Sequence, residues 1–194
     1  MEVIHLLGTI VYFTVLIGLS CYGLHRYWMI FLYYRHRKET AQPAGKFQEL
    51  PTVTVQLPLY NEMYVAERLI DAVAAMDYPQ DKLEVQVLDD STDETAEIVA
   101  AKVAELRARG VDIHQLRRSN RVGYKAGALE NGLHAARGEF IAIFDADFVP
   151  PADMLRKTID YFTDPTIGLI QTRWGHINER YSLLTRLQSM FLDG

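Results

Sequence analysis

The chain has 194 residues, 49% hydrophobic and 23% charged, with a formal net charge of −5; this composition excludes disorder and fits one domain with additions. Four Lys/Arg against two acids leave residues 1–40 at +2, so the remainder carries −7, an acidic balance that excludes general nucleic-acid binding. A single cysteine, Cys21, excludes an internal disulfide and a cysteine-based zinc site.

The first element is a membrane span. From Val3 to Leu24 the only strongly polar side chain is His5, placed near one end at headgroup depth. Twenty-two helical residues reach roughly 33 Å, against a hydrocarbon core of about 30 Å. Aromatic residues follow over Tyr27–Tyr34, then the basic cluster Arg35–Lys38. Aromatic side chains favour the headgroup level and Lys/Arg the cytoplasmic side, which puts the N-terminus outside and the rest of the chain in the cytoplasm, at the cell (inner) membrane. A signal peptide fits poorly, because the start is Met-Glu and the far end carries bulky aromatics. Residues 1–38 are thus read as anchor and interfacial segment, and 39–51, polar with Pro and Gly, as a linker.

From residue 52 the pattern alternates. TVTVQL (52–57), EVQVLD (84–89), VDIHQL (111–116), EFIAIFDA (139–146) and IGLIQTR (167–173) read as five strands. Between and after them, 62–76, 91–110, 125–138, 152–162 and 180–192 read as helices. In the first of these Val65, Leu69, Ala72, Val73 and Met76 recur at helical spacing; Ser91 or Thr92 would cap the second, with Gly110 past its end, and Gly138 would stop the third. Continuous apolar strands separated by helices predict an α/β domain, a mostly parallel sheet covered on both faces. Such sheets bind ligands at the carboxyl ends of their strands. Three polar clusters fall there: PLYNE (58–62), DDSTD (89–93) and DAD (145–147). No G-x-G-x-x-G follows the first strand, which argues against an ordinary dinucleotide-binding domain.

Asp145 and Asp147 are two apart, so in extended backbone both carboxylates face one point. Charges so close repel unless a cation lies between them, and Mg²⁺ or Mn²⁺ suits two carboxylates plus substrate phosphates; the plainer reading is a turn before Pro150 with Asp145 solvated. Asp89 and Asp90 serve as well for capping as for reaching a ligand. Tyr60 offers a face to a base and Glu62 an acceptor to a base or ribose, although Pro58–Glu62 alone is only a loop. RRSNRVGYKAG (117–127) is basic in an acidic domain; its bland reading is a solvated loop, its functional one a phosphate clamp through Arg121 or Lys125 beside a helix N-terminus.

Together PLYNE, DDST, R-x-G-Y-K-A-G-A-L and F-D-A-D resemble family 2 glycosyltransferases of the GT-A fold, over nearly all of 51–194. The QTRW at 171–174 and the N-terminal span are most similar to cellulose-synthase-like enzymes, in particular mannan and glucomannan synthases. The resemblance implies a Rossmann-like GT-A domain that moves a hexose from a UDP- or GDP-sugar to a growing β-linked polysaccharide with inversion. It implies Asp145 and Asp147 on a divalent ion, Asp145 also toward the donor, and Pro58, Tyr60, Glu62, Asp89, Asp90, Arg121 and Lys125 around the nucleotide-sugar. The family's base, an aspartate followed by Q-x-x-R-W, is not matched before Gly194, since QTRW has one residue too few and comes too early. The catalytic residue is therefore expected beyond 194, the chain reads as an N-terminal fragment, and Asp153, Asp160, Asp164 and Asp193 are not assigned. Transfer to a lipid acceptor (ceramide or polyprenyl phosphate), a nucleotidyltransferase and a non-catalytic membrane-tethered module are the alternatives.

Overall fold

The computed structural model describes residues 2–37, 41–173 and 175–193. Lys38 of the basic cluster, Glu39 and Thr40 of the expected linker, Trp174 of QTRW, Gly194 and the side chain of Asp193 lie outside the described residues. The chain divides into two compact units, 1–42 and 43–194.

The first unit is one helix, α1, Glu2–His36, long and apolar enough to cross a membrane. None of its residues is buried, and its apolar side chains are exposed along its whole length. Near its end Arg37 lies 5.0 Å from the Tyr34 ring centroid, and Arg26 lies 5.7 Å from that of Tyr22.

The second unit is built on four parallel strands, β1 Val53–Leu59, β2 Leu83–Asp89, β3 Ile113–Leu116 and β4 Phe140–Ile143, in the order β3-β2-β1-β4. Between them run α2 Ala66–Ala74, α3 Thr95–Ala108 and α4 Tyr124–Ala135; α5 Met154–Thr158, a 3-10 turn Ile159–Thr163 and α6 Leu183–Asp193 follow β4. Because every crossover returns parallel, all carboxyl ends share one rim.

The two faces of the sheet differ in chemistry. Val53, Val55, Leu57 and Leu59 of β1 and Val85 and Val87 of β2 share one core cluster with Leu69, Ile70 and Val73 of α2 and Val99, Val103 and Leu106 of α3. Alternation turns the intervening residues the other way, and these are polar and buried: Thr54, Gln56, Glu84 and Gln86. Register pairs Thr54 with Glu84 and Gln56 with Gln86. Thr54 Oγ1 donates to Glu84 Oε2 at 2.6 Å, and the Gln56 and Gln86 amides lie 3.1 Å apart. Glu84 also accepts from the Arg137 backbone N–H and from Arg137 Nε, both at 2.9 Å. Burial alone would raise the Glu84 carboxyl, but the hydrogen bonds from Thr54 and Arg137, with the Arg137 charge, hold it below its ordinary range.

Helix α4 covers this polar face through small residues. A Cβ on Gly132 would stand 2.7 Å from both Gln56 Nε2 and Leu88 Cδ2. Gly138 does not stop α4, which ends at Ala135. It is required because a Cβ there would stand 2.2 Å from the Thr54 backbone nitrogen.

Three further expectations are corrected. No strand forms over 167–173; a strand exists only beside a pairing neighbour, none of the four described strands pairs with this segment, and Leu169 is 82% exposed. β4 ends at Ile143, because Phe148 N–H donates to Asp145 O at 3.0 Å and curls the aspartates into a turn rather than extended backbone. α3 starts at Thr95, whose N–H is taken by Asp93 Oδ1, while the Ser91 hydroxyl is engaged elsewhere. Gly110, at φ +89°, does follow α3 in the left-handed conformation. From Pro43 the expected linker groups with the second unit, since Phe47 meets the Phe140 ring edge-on at 6.1 Å and its N–H donates to Asp160.

Candidate functional site

The carboxyl rim holds a cleft of about 420 Å³, lined by Pro58, Leu59, Tyr60, Glu62, Leu88, Asp90, Arg121, Lys125, Ala128, Asp145, Ala146 and Asp147. Eight of the nine residues singled out in the sequence thus meet around one space. Asp89 does not. Its side chain is fully buried, with Oδ1 accepting from Ser91 N–H at 2.9 Å and Oδ2 from Gln115 Nε2 at 2.7 Å.

The wall after β1 is fastened to the wall after β2. Asn61, at φ +55°, a conformation asparagine tolerates, donates its N–H to Ser91 Oγ at 3.0 Å and accepts from Thr92 N–H at 2.9 Å. That leaves Tyr60 and Glu62, flanking Asn61, turned to the opening. Tyr60 is not a bare platform, because the Arg121 guanidinium lies 3.2 Å from its ring centroid and 5.2 Å from that of Tyr124. Arg121 Nε is buried with no hydrogen-bond partner among the described residues.

The cationic wall is the loop 117–124 running into α4. Lys125, in the first turn of α4, pairs with Asp145 across the cleft. Behind the wall stands Arg118, a residue the sequence reading passed over. Its Nε donates to Asp90 Oδ1 at 2.9 Å, its Nη2 reaches Asp90 Oδ2 as well, and the two side chains are only 11% and 7% exposed. This pairing raises the Arg118 ionisation further above its ordinary value. One signal could have exposed it: the β2–β3 register sets Leu88 beside Leu116, and two more residues along each chain bring Asp90 to Arg118.

Asp145 and Asp147 fit a hard divalent ion. They supply oxygen donors only, on an open rim where Asp145 already draws a cation, the Lys125 ammonium. The described residues hold no group of three or more His, Cys, Asp or Glu that would make a closed metal cage. Mg²⁺ and Mn²⁺ complete their coordination with phosphate and water, so two carboxylates suffice.

A glycosyl transferase family 2 model matches residues 54–191. The chain belongs to glycosyl transferase family 2. Among its family 2 relatives, it is 45% identical over 156 residues to probable glucomannan 4-beta-mannosyltransferase 2 of Oryza sativa subsp. japonica, 78% of this chain and 27% of that protein. It is 44% identical over 148 residues to glucomannan 4-beta-mannosyltransferase 2 of Arabidopsis thaliana, 74% of this chain and 28% of the relative. The chain therefore spans about a quarter of the length of these curated relatives. Among solved structures it is similar to the mannosyltransferase PcManGT of Pyrobaculum calidifontis in complex with GDP-Man and Mn²⁺, with TM-score 0.66 and 33% identity over 77% of this chain and 44% of that one. S. aureus TarS, at TM-score 0.51 and 21% identity over 66% of this chain and 23% of that one, shares the fold. As a family 2 domain, the sheet with its rim is the GT-A architecture expected from the motifs.

Proposed function

We propose that residues 43–194 form the donor-binding part of a divalent-metal-dependent inverting hexosyltransferase. It takes the sugar from a GDP- or UDP-sugar, with GDP-mannose the first choice, and passes it to a growing β-linked polysaccharide. α1 anchors it in the cell membrane with the cleft on the cytoplasmic side. The carrying observation is the convergence of an aromatic and an acid after β1, an acid after β2, two cations before and on α4, and two carboxylates after β4 around one cleft. The mannosyl preference is supported by the mannosyltransferase names of the plant relatives and by GDP-Man in the archaeal neighbour.

In this reading Tyr60 and Glu62 receive the base and ribose, with Arg121 stacked on the tyrosine as part of the base platform. Lys125 moves from Asp145 to the donor diphosphate, where its charge favours departure of the nucleoside diphosphate. Asp145 and Asp147 hold the divalent ion, which when bound supplies Lewis-acid stabilisation of that leaving group. Asp153, Asp160 and Asp164 lie off the cleft lining and have other partners, namely Lys157, the Phe47 N–H and Thr166. None of them is assigned the acceptor proton.

Titration calorimetry of the full chain in detergent tests this. GDP or UDP is expected to bind with Mn²⁺ and to lose that binding in EDTA and in Asp147→Ala. Equal nucleotide binding with and without the ion would refute the metal role, and no binding of either nucleotide would refute the donor site.

A further inference from the structure

We infer that Arg118, anchored by Asp90, is the positioning residue of the donor cleft; this rests on the donor-site reading above. The register of β2 and β3 makes the pair unavoidable. Beyond Leu88 and Leu116 the two chains continue side by side, and two acids meet two arginines. Arg117 lies 3.7 Å from Asp89, and Arg118 holds both oxygens of Asp90.

What distinguishes Arg118 is where its remaining N–H groups go. Nη1 donates to Val122 O at 2.8 Å and Nη2 to Tyr124 O at 3.0 Å. These carbonyls bracket two successive left-handed residues, Gly123 at φ +74° and Tyr124 at φ +48°. That conformation is unfavourable for a bulky aromatic and persists only where its surroundings over-determine it. A planar fork held at one end by a carboxylate can grip two carbonyls in fixed directions, which an ammonium cannot. Gly127 closes the arrangement, since a Cβ there would stand 2.1 Å from Val122 O and 2.8 Å from Arg118 Nη1.

The gripped loop carries the two cations that face the donor. With Val122 and Tyr124 fixed, Arg121 is held over Tyr60, and Lys125, next in the chain after Tyr124, is aimed at Asp145. Arg118 itself lines no part of the cleft. Its influence on a nucleotide therefore passes through the loop, with Asp90 as the anchor that fixes the guanidinium.

The full chain in detergent, as wild type, Arg118→Gln, Arg118→Lys, Asp90→Asn and the Asp90→Asn/Arg118→Gln double variant, decides the matter with two readouts. One is amide hydrogen exchange over 119–127 without ligand, and the other is affinity for GDP and for UDP with Mn²⁺. Each single variant is expected to speed exchange across 119–127 while β1 and β2 stay protected. Each is expected to weaken nucleotide binding about tenfold, the size of one charge-assisted hydrogen bond, with Arg118→Lys failing to rescue. The double variant is expected to bind no more weakly than Asp90→Asn alone. Wild-type exchange in both Arg118 variants overturns the positioning role, and a double-variant loss equal to the product of the two single losses overturns the coupling of Arg118 to Asp90. Should Arg118→Gln fail to fold, Arg118→Lys carries the first readout and Arg118→Lys/Asp90→Asn the second. If the wild type binds neither nucleotide, the donor-site reading falls, and the exchange data still decide whether Arg118 orders the loop.

Discussion

Replacing Glu84 with Gln isolates the charge in the polar face beneath α4. In the wild type Oε2 accepts from Thr54 and from the Arg137 N–H, and Oε1 accepts from Arg137 Nε. Glutamine can keep its carbonyl at the Oε2 position, which retains two bonds as neutral ones. Its amide nitrogen then faces the guanidinium, donor against donor, and the ionic bond is lost. Charge-assisted bonds contribute about 1.5–3 kcal/mol and neutral ones about 1. Arg137 is 62% exposed, so water takes over part of what it loses and the lower end applies. The expected cost is about 2 kcal/mol, a drop of roughly 4–8 °C for a unit of this size. The sign with pH follows from the depressed folded ionisation of Glu84. Its contribution is complete above the unfolded value near 4.5 and is lost as pH falls through the folded one. Thermal unfolding followed by circular dichroism in detergent, where α1 adds a constant helical signal, should therefore show a gap between wild type and variant at pH 7 that narrows toward pH 3. Equal melting at pH 7, or a gap unchanged at pH 3, would refute the reasoning.

Gly138→Ala is expected to cost more than 3 kcal/mol, because its Cβ meets backbone of the central strand at 2.2 Å; recovery of folded protein with near wild-type urea resistance would contradict this. Asn61→Gly should relieve the left-handed backbone but lose the bond to Thr92, leaving stability within about 1 kcal/mol, whereas Asn61→Ala loses the bond and keeps the strain and should be the weaker of the two in the same urea titration. Carbonate extraction of membranes should leave the full chain in the pellet and release a chain starting at Pro43, while release of both would argue against a spanning α1.

Much of this was legible because the signals were local. β-branched apolar runs gave β1, β2 and β3 nearly to their ends, and the placement of PLYNE, DDST and DAD on one rim followed from parallel topology alone. Pairing was not local. Ile167–Arg173 has the composition of a strand, but whether a neighbour lies beside it is written elsewhere, and it is an exposed loop. The same gap hid Arg118, which in the sequence is one more arginine in a basic loop and acquires a partner only once β3 is known to flank β2. Tyr60 was read as an open aromatic face for the same reason, since its cover, Arg121, is 61 residues away in the chain. Asp89 and Asp90 were indistinguishable by type, and alternation at the end of β2 sends one into the interior and the other to the rim.

Gly132 and Lys125 stand on one rod, two turns apart, about 10 Å along the α4 axis. The two glutamine amides and Leu88 beneath Gly132 admit the helix at a single height, because sliding it by one residue would press a side chain against Gln56 and Leu88. The seat of a glycine over the sheet thereby gauges how far a lysine projects at the open end. Loosening that seat would detune the ammonium above the sheet without altering any residue on the lining.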